Sequence, residues 1–214
     1  MNVLVCCEES QAVTIAFRNL GITAFSCDIQ MCSGGHLEWH ICGDVIPLIN
    51  GNCSFTTCDG VEHSVKDKWD LLIAHPPCTY LSNAGSTSLF PGGMLNAERF
   101  FKGLAAKEFF MQFYNANCDR ICIENPVPAK IYDLPPYSQI IQPWAFGHDK
   151  QKRTCLWLKG LPPLLGTCYV ENPIPTNRAA WYNSGGKARA KNRSKTFPGI
   201  ARAMALQWSI PNLL

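Results

Sequence analysis

The stretch that most narrows the choice of fold is Leu71-Leu72-Ile73-Ala74-His75-Pro76-Pro77-Cys78. Four consecutive apolar residues predict a buried strand. The double proline stops it, because proline cannot continue a ladder, and the fixed backbone angles stiffen the turn that follows. In an open α/β sheet, ligands bind outside the carboxyl ends of the strands, so a cysteine delivered there is placed for chemistry. A second run, Arg120-Ile121-Cys122-Ile123, predicts another strand, ending in Glu124-Asn125-Pro126. One strand end thus offers a nucleophile and the other a carboxyl group.

Around these two runs the chain alternates strands and helices. Asn2 to Cys7 predicts a first strand and Ser10 to Leu20 a first helix, with Ala12, Ile15, Ala16, Phe17 and Leu20 on one face, Ser10 as cap and Gly21 as stop. Ala24-Phe25-Ser26-Cys27 predicts a second strand ending in Asp28. A strand, helix, strand unit closed by an acid is the first half of a nucleotide-binding sheet, where carboxylates hold ribose hydroxyls. Asp59-Gly60 between two short runs predicts a hairpin. The small residues and glycines of 79–93 predict a mobile surface loop beside Cys78. A helix is expected from Asn96 to about Asn115, then strands at Ile140 to Trp144 and Thr154 to Leu158, and a closing helix after Pro198.

Composition bounds what such a chain does. At 214 residues, 47% of them hydrophobic and 16% charged, it is expected to form one catalytic domain spanning 1–214. No stretch approaches the roughly 20 apolar residues of a membrane span, and the start reads as a strand rather than a signal peptide. The twelve cysteines lie mostly in or beside apolar strands, so they read as reduced thiols of a cytoplasmic protein. Cys32, His36, His40 and Cys42 are zinc-ligand types, but their spacing fits no standard finger, and no metal is expected. The net charge of +3 is unevenly spread: residues 172–214 hold seven basic residues and no acidic one. With Trp181 and Tyr182 among them, Arg178, Lys187, Arg189, Lys191 and Arg193 suit a polyanion carrying bases to stack on, as well as a plain solvated basic loop.

Pro76-Pro77-Cys78 after one strand, with Glu124-Asn125 after a later one, resembles motifs of the DNA cytosine carbon-5 methyltransferases. The resemblance implies an α/β, Rossmann-like S-adenosylmethionine-dependent methyltransferase fold, a mostly parallel sheet with helices on both faces. It implies that Cys78 adds to carbon 6 of cytosine and that Glu124 bonds N3, which makes carbon 5 nucleophilic. Covalent addition divides one difficult step into two easier ones. It also implies that Asp28, Asp44 and Pro76 meet the cofactor, with Ser194 at the turn before the closing helix, and that Ser82 and Asn83, in a segment closing over a flipped base, touch nucleic acid. The run Gln151-Lys152-Arg153 is similar to a basic motif beside the target base, which makes Lys152 and Arg153 candidates for the base or its phosphate.

The chain departs from that pattern twice. The first turn, Cys6-Cys7-Glu8-Glu9-Ser10-Gln11, contains none of the family's glycines. The cofactor has no phosphate and carries a cationic amino group, so Glu8, Glu9 and Ser10 are expected to serve it in their place. Only about residues 160–192 stand where the family has a large target-recognition domain, as in a compact bacteriophage or mobile-element enzyme working in a bacterial host cytoplasm. Relaxed sequence specificity is then expected, or a homodimer or partner that supplies recognition. The same chemistry on RNA, single-stranded DNA or a pyrimidine nucleotide is one alternative, and a catalytically silent nucleic-acid-binding protein is another.

Overall fold

The computed structural model describes residues 1–175 and 195–209. In chain order these form β1 (Asn2–Cys6), α1 (Ala12–Arg18), β2 (Thr23–Asp28), β3 (His40–Cys42), β4 (Cys53–Thr56), β5 (Glu62–Val65), β6 (Leu71–Ala74), α2 (Ser86–Leu89), α3 (Ala97–Tyr114), β7 (Ile121–Pro126), β8 (Gln139–Ile141), β9 (Thr154–Lys159) and α4 (Pro198–Trp208). Among the described residues, seven strands make one sheet in the order β3-β2-β1-β6-β7-β9-β8, and β4 with β5 forms the expected hairpin. β9 runs antiparallel to both its neighbours, and the other pairs in the sheet are parallel.

Successive residues of each strand point to opposite faces, and both faces are covered. Val3, Val5, Leu71, Ile73, Cys122 and Leu156 pack with Val13 and Phe17 of α1 and Ile200, Met204 and Trp208 of α4. Leu4, Leu72, Ala74, Ile121, Ile123 and Trp157 pack with Phe110 and Phe113 of α3 and with Phe55, Val65 and Trp69. Burial on both sides is why these strands read as continuous apolar runs rather than alternating ones. Phe110 meets Trp157 edge-on, with ring centroids 5.0 Å apart.

α3 begins where the sequence places it, because the Asn96 side chain accepts a hydrogen bond from Arg99 N at 3.0 Å. Its one glycine, Gly103, is buried against the Tyr132 ring, and a Cβ there would enter that ring. α1 differs from expectation. It starts at Ala12 rather than Ser10, behind a left-handed Gln11 (φ 58°) with no side-chain cap of its own. β7 runs three residues beyond Ile123, because Glu124, Asn125 and Pro126 pair with Leu156, Cys155 and Thr154 of β9 after the pairing with β6 has ended. β8 is shorter than its apolar run, since Pro143 opens a 3-10 turn. The segment after Cys78 is not a plain loop. It carries α2 between two 3-10 turns, and Asn83 N and Ala129 N bond to Val127 O and Leu81 O, tying it to the exit of β7.

From β1 the chain first builds outwards to β2 and β3, then crosses to β6 and β7 on the other side. Such a switch opens a crevice between β1 and β6 at the carboxyl edge. The register aligns Cys6 with Cys27 and Ala74, and Ala74 with Ile123. The turns after β1, β2 and β6 and the outer half of β7 therefore share one edge.

Candidate active site

The first turn solves the missing-glycine problem with ordinary residues. Cys7 and Gln11 both take φ near 58°, the left-handed region that glycine usually fills. Cys7 N and Glu8 N donate to Cys27 O at 2.7 and 3.3 Å, which anchors the turn to β2. Glu8 is buried beneath it. Its carboxylate accepts from Val13 N (2.6 Å), Thr14 N (3.2 Å) and Thr14 Oγ1 (2.7 Å), so it caps α1 from outside the helix. Burial keeps its pKa above the ordinary carboxylate value despite those bonds and the neighbouring His75. Glu9 is also buried, its carbonyl accepting from Ser33 N, and the Ser10 carbonyl lies against Gly34. Gln11 is fully buried and exchanges side-chain hydrogen bonds with the His36 backbone.

Asp28 ends β2 and Asp44 follows β3, both on this edge. Asp28 Oδ1 accepts from Gln30 N at 2.9 Å and Asp44 Oδ1 from Ile46 N at 3.0 Å. Burial pushes the Cys27 thiol up to about 12, and the charges of Asp28 and Asp44 add to the effect. Cys7 is likewise held well above the usual thiol range, by burial first and then by Asp28, so neither thiol is a nucleophile. His40, one of the zinc-ligand types, is buried with Nδ1 2.8 Å from Ser26 Oγ and Nε2 2.8 Å from Gln30 O. Among the described residues no cluster of metal-ligating side chains occurs.

On the other side of the switch, β6 delivers His75, Pro76, Pro77 and the half-buried Cys78. His75 N continues the ladder by donating to Cys6 O at 3.0 Å. Pro76 is buried, and its carbonyl accepts from Asn125 Nδ2 at 3.1 Å, so β7 holds the turn that carries Cys78. Glu124, one residue before Asn125, meets His75: Nδ1 lies 2.8 Å from Oε2, with about nine-tenths of each side chain buried. Burial opposes charge on His75, but the hydrogen bond and charge of Glu124, reinforced by Glu8, outweigh it and raise its pKa above the ordinary imidazole value. Burial likewise opposes charge on Glu124, yet His75 and Lys152 carry its pKa below the usual carboxylate value.

The structure thus brings Cys78, Glu124, Pro76 and Lys152 to the β6–β7 side, and Glu8, Glu9, Ser10, Asp28 and Asp44 to the β1–β2 side. Arg153 is exposed. Ser82 Oγ accepts from Ala84 N, and Asn83 is exposed on the segment tied to Val127. Arg178, Lys187, Arg189, Lys191, Arg193 and Ser194 lie outside the described residues. Sequence reasoning assigned no role to His75 or Asn125. The available signal was their position, each one residue from a candidate on an adjacent strand end.

A seven-stranded sheet that is parallel apart from one reversed strand inserted next to the edge, with helices on both faces and a strand order that reverses at β1, is a doubly wound, Rossmann-like α/β fold. No protein-family model and no curated protein matches the sequence. Among solved structures, the chain is similar to a candidate DNA modification methyltransferase encoded within an E. coli prophage, at 11% identity and a TM-score of 0.47. That match covers 82% of this chain and 53% of the other, so the chain spans about half the length of that protein. No helix among the described residues is long and apolar enough to cross a membrane.

Proposed function

We propose that the protein is an S-adenosylmethionine-dependent methyltransferase acting on carbon 5 of cytosine in DNA, with 1–214 as one catalytic domain. The observation that carries this reading is the Asn125 hydrogen bond to Pro76, which ties the Cys78 turn to the strand that bears Glu124. A nucleophile and a carboxyl group held by one rigid link on neighbouring strand ends suit covalent addition to a pyrimidine ring. Cys78 adds through sulfur to carbon 6, and Glu124, once protonated, gives N3 the proton that offsets the negative charge developing there. Lys152 adds positive charge beside Glu124, and Arg153, with the basic residues of 178–193, contacts the phosphates of a duplex whose target base is flipped out. Asp28, Asp44, the 8–10 turn, Pro76 and Ser194 hold the cofactor, which supplies an electrophilic methyl group when bound. Asp28 at the end of β2 suits its ribose hydroxyls, and Asp44 after β3 its adenine amino group.

A second reading keeps the chemistry and changes the substrate to RNA, single-stranded DNA or a pyrimidine nucleotide. It is favoured by residues 167–174, which lie back on the body through hydrogen bonds with Trp144, Ala145, Gly147, Asp149 and Gln151. Duplex DNA containing 5-fluorocytosine tests the lead reading, since fluorine at carbon 5 cannot leave as a proton and the cysteine adduct is trapped. A cofactor-dependent adduct that maps to Cys78 is expected. Trapping only on single strands or RNA selects the second reading, and no adduct on any of them rejects the chemistry.

A further inference from the structure

His75 has no part in the chemistry described above, yet its ring is buried at the site and bonded to one of the proposed catalytic groups. It precedes the double proline, its backbone is fixed to Cys6 O, and its ring meets the Glu124 carboxylate across the strand ends while also feeling the charge of Glu8. Nδ1 faces Glu124 Oε2 at 2.8 Å, and Nε2 is buried with no hydrogen-bond partner among the described residues. A buried carboxylate with one strong donor has a fixed orientation, and a ring in that position is also a place to keep a proton.

We infer that His75 is the positioning residue for Glu124, orienting its carboxyl group through the Nδ1 hydrogen bond and storing the proton that the pyrimidine takes at N3. This rests on the cytosine carbon-5 reading above. In the resting pair one proton lies between Nδ1 and Oε2. When the Cys78 thiolate, its proton already lost to water, bonds through sulfur to carbon 6, the electron pair of the 5,6 double bond moves into the ring. The stored proton passes from Nδ1 to the Glu124 carboxyl group and on to N3, leaving a neutral imidazole. Carbon 5 then takes the methyl group that a bound cofactor would supply, whose methyl–sulfur bond breaks to leave a neutral thioether, and the hydrogen on carbon 5 leaves as a proton to water. The carbon–sulfur bond then breaks and N3 returns its proton to the pair. Three charged groups act on the ring: Glu124 on β7 and Glu8 in the first turn favour its proton, and Lys152 before β9 opposes it. Glu8 thereby links the cofactor turn to the proton store.

A proton store and a mere spacer respond differently to substitution. His75→Asn keeps a donor close to the Nδ1 position but cannot carry an exchangeable charge, and His75→Phe removes both functions. With unmodified duplex DNA, His75→Asn is expected to lose about 100-fold in kcat, the usual scale of a lost proton-transfer group, with KM nearly unchanged. The wild-type rate falls as pH rises past the apparent pKa of the pair, and this alkaline limb is absent in His75→Asn. Nitrogen-15 NMR of the free wild-type protein gives an independent measurement that needs no active variant. His75 titrates above ordinary imidazole, and the titration returns towards the ordinary value in Glu124→Gln. An active wild type whose His75→Asn form keeps both kcat and the alkaline limb, or a His75 titration indifferent to Glu124→Gln, overturns the inference alone. A wild type that methylates no cytosine overturns the parent reading and the inference with it.

Discussion

Replacing Glu8 by alanine tests whether the glycine-free first turn is held by the carboxylate beneath it. The side chain accepts three hydrogen bonds, two from the first turn of α1 and one from the Thr14 hydroxyl. Losing a helix cap costs about 0.5–2 kcal/mol. Stranding the buried Thr14 hydroxyl adds about 1 kcal/mol, and removing one buried methylene about 0.8 kcal/mol. Relief of the penalty for burying an ionised carboxylate acts in the other direction. The net expectation is a loss of about 1–3 kcal/mol, which for a chain of this size lowers Tm by about 2–12 °C. Urea unfolding followed by circular dichroism measures it. Glu8→Gln, which keeps an acceptor for Val13 N, should lose roughly half as much as Glu8→Ala. Paired with Thr14→Val, Glu8→Ala should show a coupling of at least about 0.5 kcal/mol. A Glu8→Ala protein within about 0.5 kcal/mol of wild type would refute the capping role.

Three further predictions follow from single contacts. Gly103→Ala places a methyl in the fully buried Tyr132 ring. The overpacking penalty of about 1–3 kcal/mol offsets or exceeds the roughly 1 kcal/mol gain in helix propensity, so the midpoint of unfolding should fall or stay level and never rise by that gain. Asn125→Ala removes the buried donor to Pro76 O, and should lose about 1–3 kcal/mol in unfolding experiments and slow trapping by 5-fluorocytosine DNA. His148 Nε2 accepts from Gly199 N at 2.9 Å, at the start of α4, and burial lowers its pKa from the ordinary 6.5 despite Asp149. Its neutral form is therefore the stabilising one. That contribution is complete above the ordinary value and is lost as pH falls through the lowered one, so the stability difference between wild type and His148→Gln should narrow between neutral and acidic pH.

Much of this fold was legible because its signals are local. The two apolar runs ending at Pro76 and Pro126, the Asn96 cap and the Asp59-Gly60 turn each act over a few residues. They lead to an α/β sheet, mostly parallel and covered on both faces. What the sequence hid depends on partners distant along the chain. β7 reaches Pro126 only because β9 pairs with it, and Arg120-Ile121-Cys122-Ile123 carries no trace of that. Cys7 and Gln11 adopt left-handed backbones without the glycine that would have signalled them. The Glu8 cap on α1 leaves no mark in the sequence, because it spans five residues, outside the usual capping spacings. The pairing of His75 with Glu124 joins residues 49 apart. It becomes visible only once β6 and β7 are known to be neighbours.

Nucleoside analysis tests most directly whether the protein methylates cytosine at carbon 5 with Cys78 as the nucleophile. Unmodified duplex DNA is incubated with labelled S-adenosylmethionine and either wild-type protein or Cys78→Ala, digested, and resolved by mass spectrometry. Labelled 5-methyldeoxycytidine from the wild type and none from the variant is the predicted result. Label in another base or at another ring position, or an undiminished yield from Cys78→Ala, would contradict the account.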